Sequence, residues 1–246
     1  MNRRLKISAW AMALIFAAAL VHSTVVSITS VTPRIIDIEN LPVIIIDPGH
    51  GGIDGGAVGA GDVLEKDINL AISLLLRDML TITGFEVVMT REDDRSIHDE
   101  DVTGVRRQKR SDLHNRLEIA EAHYPNVIFL SIHQNRFQDA SSRGAQIFHS
   151  PNHADSERLA RILQDTIIEM VQPDNTRDIK KAGDNLFLMD RMQCPAVLIE
   201  CGFLSNIQDT KELTDPEYQK RLAFAIFVSV LRYLELDMPT GVREAV

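Results

Sequence analysis

Short, unbroken apolar runs alternate along this chain with longer stretches of helical periodicity, and few folds accept that alternation. The runs Val43–Asp47 (VIIID), Val127–Ser131 (VIFLS) and Ala196–Glu200 (AVLIE) are the most continuous. A strand covered on one face alternates apolar with polar residues, whereas a run like these fits a strand covered on both faces. Phe85–Thr90, Gly144–Ser150 and Leu186–Met189 read as three further strands. Between them lie helices. Leu64–Thr83 places Ile68, Ala71, Ile72, Leu75, Leu76 and Met79 at helical spacing, and Gly84 stops it. Ser111 caps a helix running to about His123, with Leu113, Leu117 and Ala120 on one face. Residues 154–171 turn Leu159, Ile162, Leu163 and Ile167 inward, and Asp215–Pro216 opens a last helix reaching about Leu236. Residues 91–110, with six acidic and six basic side chains, read as a loop. The expectation is an α/β fold: a single layered domain, its sheet mostly parallel, with helices on both faces.

The N-terminus is of another kind. Arg3, Arg4 and Lys6 precede a segment from Ile7 to Pro33 without a charged residue. Its apolar core, Ile7–Val26, has about the length that spans a bilayer, ~20 residues. The basic flank favours an orientation with the following chain outside the cytoplasm. Residues 1–26 are thus expected to form an N-terminal hydrophobic helix, as a cleaved signal peptide or a membrane anchor. Residues 27–41 follow as a linker, 42–238 as the catalytic domain and 239–246 as a tail. The chain has 246 residues and a formal net charge of −9, with 26 Lys and Arg against 35 Asp and Glu. With no basic stripe, nucleic acid is not expected as a partner. Only Cys194 and Cys201 are present, and they flank one apolar run. Seven extended steps of ~3.3 Å hold them too far apart to bridge, so two free thiols are expected.

The three most continuous runs end in chemically capable residues. His50 follows the first (VIIIDPGHGG), His133 follows the second (VIFLSIHQN), and Glu200 ends the third (PAVLIECGF). Ligands of open parallel sheets bind beyond the carboxyl ends of the strands. Glu65, in the first turn of the helix leaving the Gly-rich loop, falls on the same side. Two His and one Glu with a position left open is a catalytic zinc set, and a further Glu suits the general base of a zinc hydrolase. His50, Glu65 and His133 are the expected ligands of one Zn2+, and Glu200 the expected catalytic base. The blander alternatives are a hydrogen-bonded loop His, a Glu favoured at a helix N-terminus, and a structural ion pair for Glu200. The loop DPGHGGIDGGAVG lacks the GK[ST] ending of a phosphate-binding loop, so its glycines are read as backbone freedom.

These blocks resemble the zinc-dependent N-acetylmuramoyl-L-alanine amidases, the type 3 amidase family. The matching pieces are IIIDPGHGGIDGGAVG, EKDINL, VVMTR at 87–91, R-x-x-I-A at 116–120, FLSIHQN, RGAQIFHS and PAVLIECGFLSN, in the family's order. The resemblance implies a six-stranded sheet, one Zn2+, and hydrolysis of the amide between the lactyl group of N-acetylmuramic acid and L-alanine. It carries over His50, Glu65 and His133 as ligands and Glu200 as catalytic glutamate. RRQKRSDLHNR (106–116) and GAQ (144–146) are similar to the germination-specific, spore-cortex members, which implies a role in cortex maturation through muramic-δ-lactam. Asn135 and Arg136 depart from the family pattern and are candidate substrate contacts, although Arg136 could equally be solvated. The partners expected are peptidoglycan strands with stem peptides and the membrane through the N-terminal segment; the enzyme is either constitutive or dependent on an activating protein, and the sequence leaves both open. The location implied is the cell envelope or the forespore intermembrane space, secreted or anchored. A zinc peptidase or deacetylase on the same scaffold, or a catalytically silent wall-binding protein, are the competing functions.

Overall fold

The computed structural model describes residues 41–235. The hydrophobic segment 1–26, nearly all of the linker and the tail lie outside the described residues. No helix among the described residues is long and apolar enough to cross a membrane.

Six strands form one sheet: β1 (Val43–Pro48), β2 (Val87–Met89), β3 (Val127–Asn135), β4 (Gln146–His149), β5 (Lys180–Lys181) and β6 (Ala196–Phe203), in the order β2-β1-β3-β6-β4-β5. The four strands from β2 to β6 are mutually parallel, with Ile45 opposite both Val88 and Phe129. β4 runs antiparallel to β6, and β5 parallel to β4. The sheet is therefore mostly parallel, as expected.

The described helices are α1 (Glu65–Ile82), α2 (Val105–Glu121), α3 (Asp155–Met170), α4 (Ile207–Leu213) and α5 (Pro216–Tyr233). On one face of the sheet, α1 contributes Ile68, Ile72, Leu76 and Leu80, each one turn above the last. Leu159, Leu163 and Ile167 of α3 and Leu222, Ile226 and Val230 of α5 complete that core against Ile44, Ile46, Leu130, Ile132, Val197 and Ile199. The opposite face carries a smaller core. There Ile45, Phe129, Ala196 and Leu198 meet Leu117 and Ala120 of α2 and a turn segment bearing Leu188, Met189 and Met192.

Four sequence expectations change. Leu186–Met189 is not a strand: its carbonyls bond locally, Asp190 N donating to Leu186 O and Met192 N to Leu188 O, so it forms turns that lid the smaller core. The sixth strand is the exposed pair Lys180–Lys181, whose length and charge suit an edge and carry no apolar signal. α2 begins at Val105, six residues before Ser111, with Gly104 preceding it at φ 91°. Its first turns consist of exposed Arg, Gln and Lys, good helix formers without apolar period. Ser111 lies inside the helix and donates its hydroxyl to Asp99. Finally, α4 is an unexpected seven-residue helix, capped by Asn206 accepting from Gln208 N and Asp209 N. Cys194 and Cys201 are both free and buried, as the spacing requires.

Candidate metal centre

Two of the chemically capable residues lie within strands rather than beyond them. β3 continues through His133 to Asn135, and β6 through Glu200 to Phe203. Polar residues interrupt the apolar run there, but the β3–β6 ladder carries the backbone onward. His133 and Glu200 are direct register partners, so their side chains project from the same face. That is the face of the smaller core, where Asp47 and Ser131 are also found. His50 lies two residues beyond β1, in a left-handed conformation at φ 63°.

The structure brings His50, Glu65 and His133 together, each offering a ligand atom within 4.8 Å of the others. Glu65, the first residue of α1, is buried at the middle of the set. Its Oε1 lies 2.8 Å from His133 Nδ1, and its Oε2 lies 3.2 Å from His50 Nε2. The same oxygens accept backbone N–H groups from Gln134 at 3.0 Å and Ala57 at 2.7 Å. Asn69, one turn along α1, donates to Glu65 Oε1 and to Gly49 O, and receives a bond from Gln134 Nε2. Burial alone would raise the Glu65 pKa, but the two imidazoles reverse this and hold the carboxyl well below the usual carboxylate range. Burial likewise disfavours a charged His50, yet Asp54 and Glu65 raise its pKa to about 9. Asp54 Oδ2 stands 3.0 Å from His50 Nδ1, and Lys109 of α2 grips its other oxygen at 2.7 Å.

Room for this set is made by glycine. A Cβ at Gly49 would stand 2.2 Å from the His133 ring. One at Gly56, already at φ 69°, would stand 2.5 Å from Glu65 Oε2 and 2.7 Å from His50 Cδ2. The donors, two imidazoles and one carboxylate held around shared space, are a borderline-soft set that suits a zinc-like cation with a coordination position to spare.

Glu200 differs from Glu65 in every respect. Its Oε2 is buried with no hydrogen-bond partner in the protein. Burial pushes its pKa up to about 7, against the opposing pull of His133. It lines a cavity of about 210 Å³ with His133, Ser131, Leu113, Phe187 and Leu198. The two candidate substrate contacts follow His133 at the end of β3. Asn135 Oδ1 accepts from the backbone N–H of Arg136. Arg136 lines a separate groove of about 620 Å³ with Val58, Phe137, Leu204 and Ile207. Asp54 and Asn69 were absent from the expected site; Asp54 alone carried a faint signal, standing four residues after His50 in the Gly-rich loop.

A family model described as N-acetylmuramoyl-L-alanine amidase matches residues 44–232. The chain belongs to that family. In Bacillus subtilis, the germination-specific N-acetylmuramoyl-L-alanine amidase is 38% identical over 191 residues, 78% of this chain and 79% of that protein. The amidase AmiA of Escherichia coli is 25% identical over 233 residues, 78% and 75% of the two chains. Among solved structures, the CwlD amidase of Clostridioides difficile, in complex with the GerS lipoprotein, has a TM-score of 0.75 and 41% identity. That match covers 80% of this chain and all of the solved one. This N-acetylmuramoyl-L-alanine amidase is thus an enzyme whose Gly-rich loop and residues His50, Glu65, His133 and Glu200 all fall within the matched span.

Proposed function

We propose that this amidase is zinc-dependent, with His50, Glu65 and His133 holding one Zn2+ and Glu200 acting as the catalytic acid and base. The bond cleaved joins the lactyl carbonyl of N-acetylmuramic acid to the amine of L-alanine in peptidoglycan. The observation that carries the assignment of Glu200 is its buried, unpartnered Oε2 in register with His133, with a proton affinity near neutrality. A base works best when its pKa lies near the operating pH.

Zinc bound by the three residues would supply a Lewis acid that polarises the carbonyl and acidifies water. The protein supplies the remainder. Glu65, fixed by Ala57 N, Gln134 N and Asn69, keeps its carboxylate ionised and its two oxygens directed at the imidazoles. Glu200 accepts the proton of the attacking water at a carboxyl oxygen and returns it to the departing alanine nitrogen. The Leu113, Phe187 and Leu198 side chains keep its surroundings apolar, which sustains the raised pKa. Arg136, if it meets substrate, does so along the groove with Phe137.

The setting is inferred from relatives. The germination-specific name of the B. subtilis enzyme supports a place in spore-cortex maturation, with release of the stem peptide preceding muramic-δ-lactam formation. The GerS lipoprotein bound to the C. difficile amidase supports an activating protein partner. We assign catalysis to residues 42–238, and export to residues 1–26 as signal or membrane anchor, which places the enzyme in the cell envelope or the forespore intermembrane space.

The purified full-length chain and its Glu200→Gln variant, each with Zn2+, are incubated with peptidoglycan, and released peptides are sequenced by mass spectrometry. Peptides beginning with free L-alanine from the wild type, reduced about 10²–10⁴-fold in the variant at equal zinc content, are the expected result. Undiminished release by the variant would remove Glu200 from the chemistry.

A further inference from the structure

We infer that Arg91 and Arg116 are positioning residues: a pair of buried guanidinium groups that fixes where His50 and Glu65 stand relative to one another. The inference rests on the metal site proposed above. Arg91 ends the VVMTR block and Arg116 begins the R-x-x-I-A block, and their hydrogen bonds reach the backbone around the metal set, not the side chains of His50, Glu65, His133 or Glu200. They are 1% and 2% exposed, the two largest of the fully buried side chains.

Their hydrogen bonds converge on one short piece of backbone. Arg91 Nε donates to Pro48 O at 2.9 Å, and Arg91 Nη2 donates to Gly49 O at 3.0 Å. The same Nη2 reaches Lys66 O at 2.8 Å. One guanidinium therefore joins the residue before His50 to the residue after Glu65. Arg116 Nη1 donates to Pro48 O at 2.8 Å, and Nη2 to His50 O at 2.7 Å. Three consecutive carbonyls, Pro48, Gly49 and His50, thus point into two planar forks.

The local backbone gives this arrangement its purpose. His50 is a non-glycine residue in the left-handed region, followed by Gly51 at φ 137° and Gly52 at φ 57°. Such a segment returns to easier conformations unless its surroundings determine it. Four N–H···O=C bonds from the two arginines onto Pro48, Gly49 and His50 are among the determining groups here. The two are also anchored differently. Arg116 is tied to Asp47 and Asp112, each at 2.6 Å. Arg91 donates hydrogen bonds only to backbone carbonyls, the fourth being Asp93 O. A guanidinium buried among carbonyls is a poor means of gaining stability, since apolar packing of similar volume does as well or better. It is an effective means of holding peptide planes in fixed directions, because its donors form a rigid fork.

A lysine at position 91 keeps the charge, but its single nitrogen cannot hold at once the Pro48, Gly49, Lys66 and Asp93 carbonyls that Nε, Nη1 and Nη2 divide between them. Zinc affinity is measured by competition with a chromophoric chelator, and ligand geometry by the visible spectrum of the Co2+-loaded protein. The full-length wild type is compared with Arg91→Lys, with Asp112→Asn, which removes one of the two carboxylates paired with Arg116, and with Leu222→Ala on α5. Support is a zinc Kd raised about tenfold or more in Arg91→Lys, a smaller rise in Asp112→Asn, and a changed Co2+ spectrum. Leu222→Ala, though less stable, should keep the wild-type Kd and spectrum. Wild-type affinity and spectrum in Arg91→Lys would overturn the inference; if that variant does not fold, the same result in Asp112→Asn would do so. Equal weakening in Leu222→Ala would overturn it too, since stability alone would then explain the loss. A wild type that binds no zinc would instead bring down the metal site itself.

Discussion

The two faces of the sheet divide the work of the molecule unequally. One face is mostly apolar, closed by α1, α3 and α5 over Ile44, Ile46, Leu130, Ile132, Val197 and Ile199. The other is apolar only at its base, under α2 and the Leu188–Met192 turn. Along the same strands that second face then becomes polar: Asp47, Ser131, His133 and Glu200. Neighbouring positions of one strand therefore differ in kind, Ile132 and Ile199 serving cohesion, His133 and Glu200 the chemistry proposed above. The broad apolar wall leaves the opposite face free to hold an unpartnered carboxyl and buried guanidinium groups that no stability argument favours.

If the comparison holds, damage to the two faces should separate. The largest effect is expected from Leu76→Ala in α1, which opens a cavity in the apolar wall and should cost about 2–5 kcal/mol in urea unfolding. The kcat of the protein that remains folded should stay within about twofold of wild type. A large fall in kcat at full folding would mean that the faces are coupled.

The second effect concerns acid. Burial tends to raise the Asp47 pKa, but Arg116 and the hydroxyls of Ser131 and Thr90 outweigh it and hold the carboxyl below its ordinary value of 3.8. The folded state binds this proton less readily than the unfolded chain, so the ion pair adds stability above pH ~4. That contribution drains away as the pH falls through the folded-state value. The stability gap between wild type and Asp47→Asn, followed by chemical unfolding from pH 7 downward, should be widest near neutrality and should shrink in acid. A gap independent of pH would show that the Asp47 charge does not stabilise this face.

The smallest effect belongs to neither face. Asp215 caps α5 by accepting from Glu217 N, so Asp215→Ala should lower stability by about 1 kcal/mol without altering zinc affinity or turnover. Altered zinc binding in this variant would extend the coupling to the start of α5.

Legibility in the sequence followed the reach of the forces involved. The buried strands could be read because each is a local apolar run, and α1 and α3 because burial imposes a helical period. The metal set could be read because the Gly loop, the α1 start and β3 each carry a recognisable residue at a strand or helix end. Lys180–Lys181 could not, since an edge strand needs neither apolar residues nor length. The start of α2 was hidden because its first turns face solvent and only propensity marks them. Asn69 and Gln134 were opaque for another reason. Their significance lies in bonds spanning 65 residues of sequence, and nothing local announces such a partner.

The register of His133 against Glu200 has one further consequence. The base and a ligand of the proposed metal are neighbours across a hydrogen-bonded ladder, so their Cα separation is set by the repeat between strands, about 4.8 Å. Side-chain repacking cannot stretch that length. The one available alteration is a slip of β6 by a residue, which would turn Glu200 to the opposite face and bury it in hydrocarbon. The distance between base and ligand is thus a lattice constant of the sheet: the site can be abolished by changing it, but not tuned.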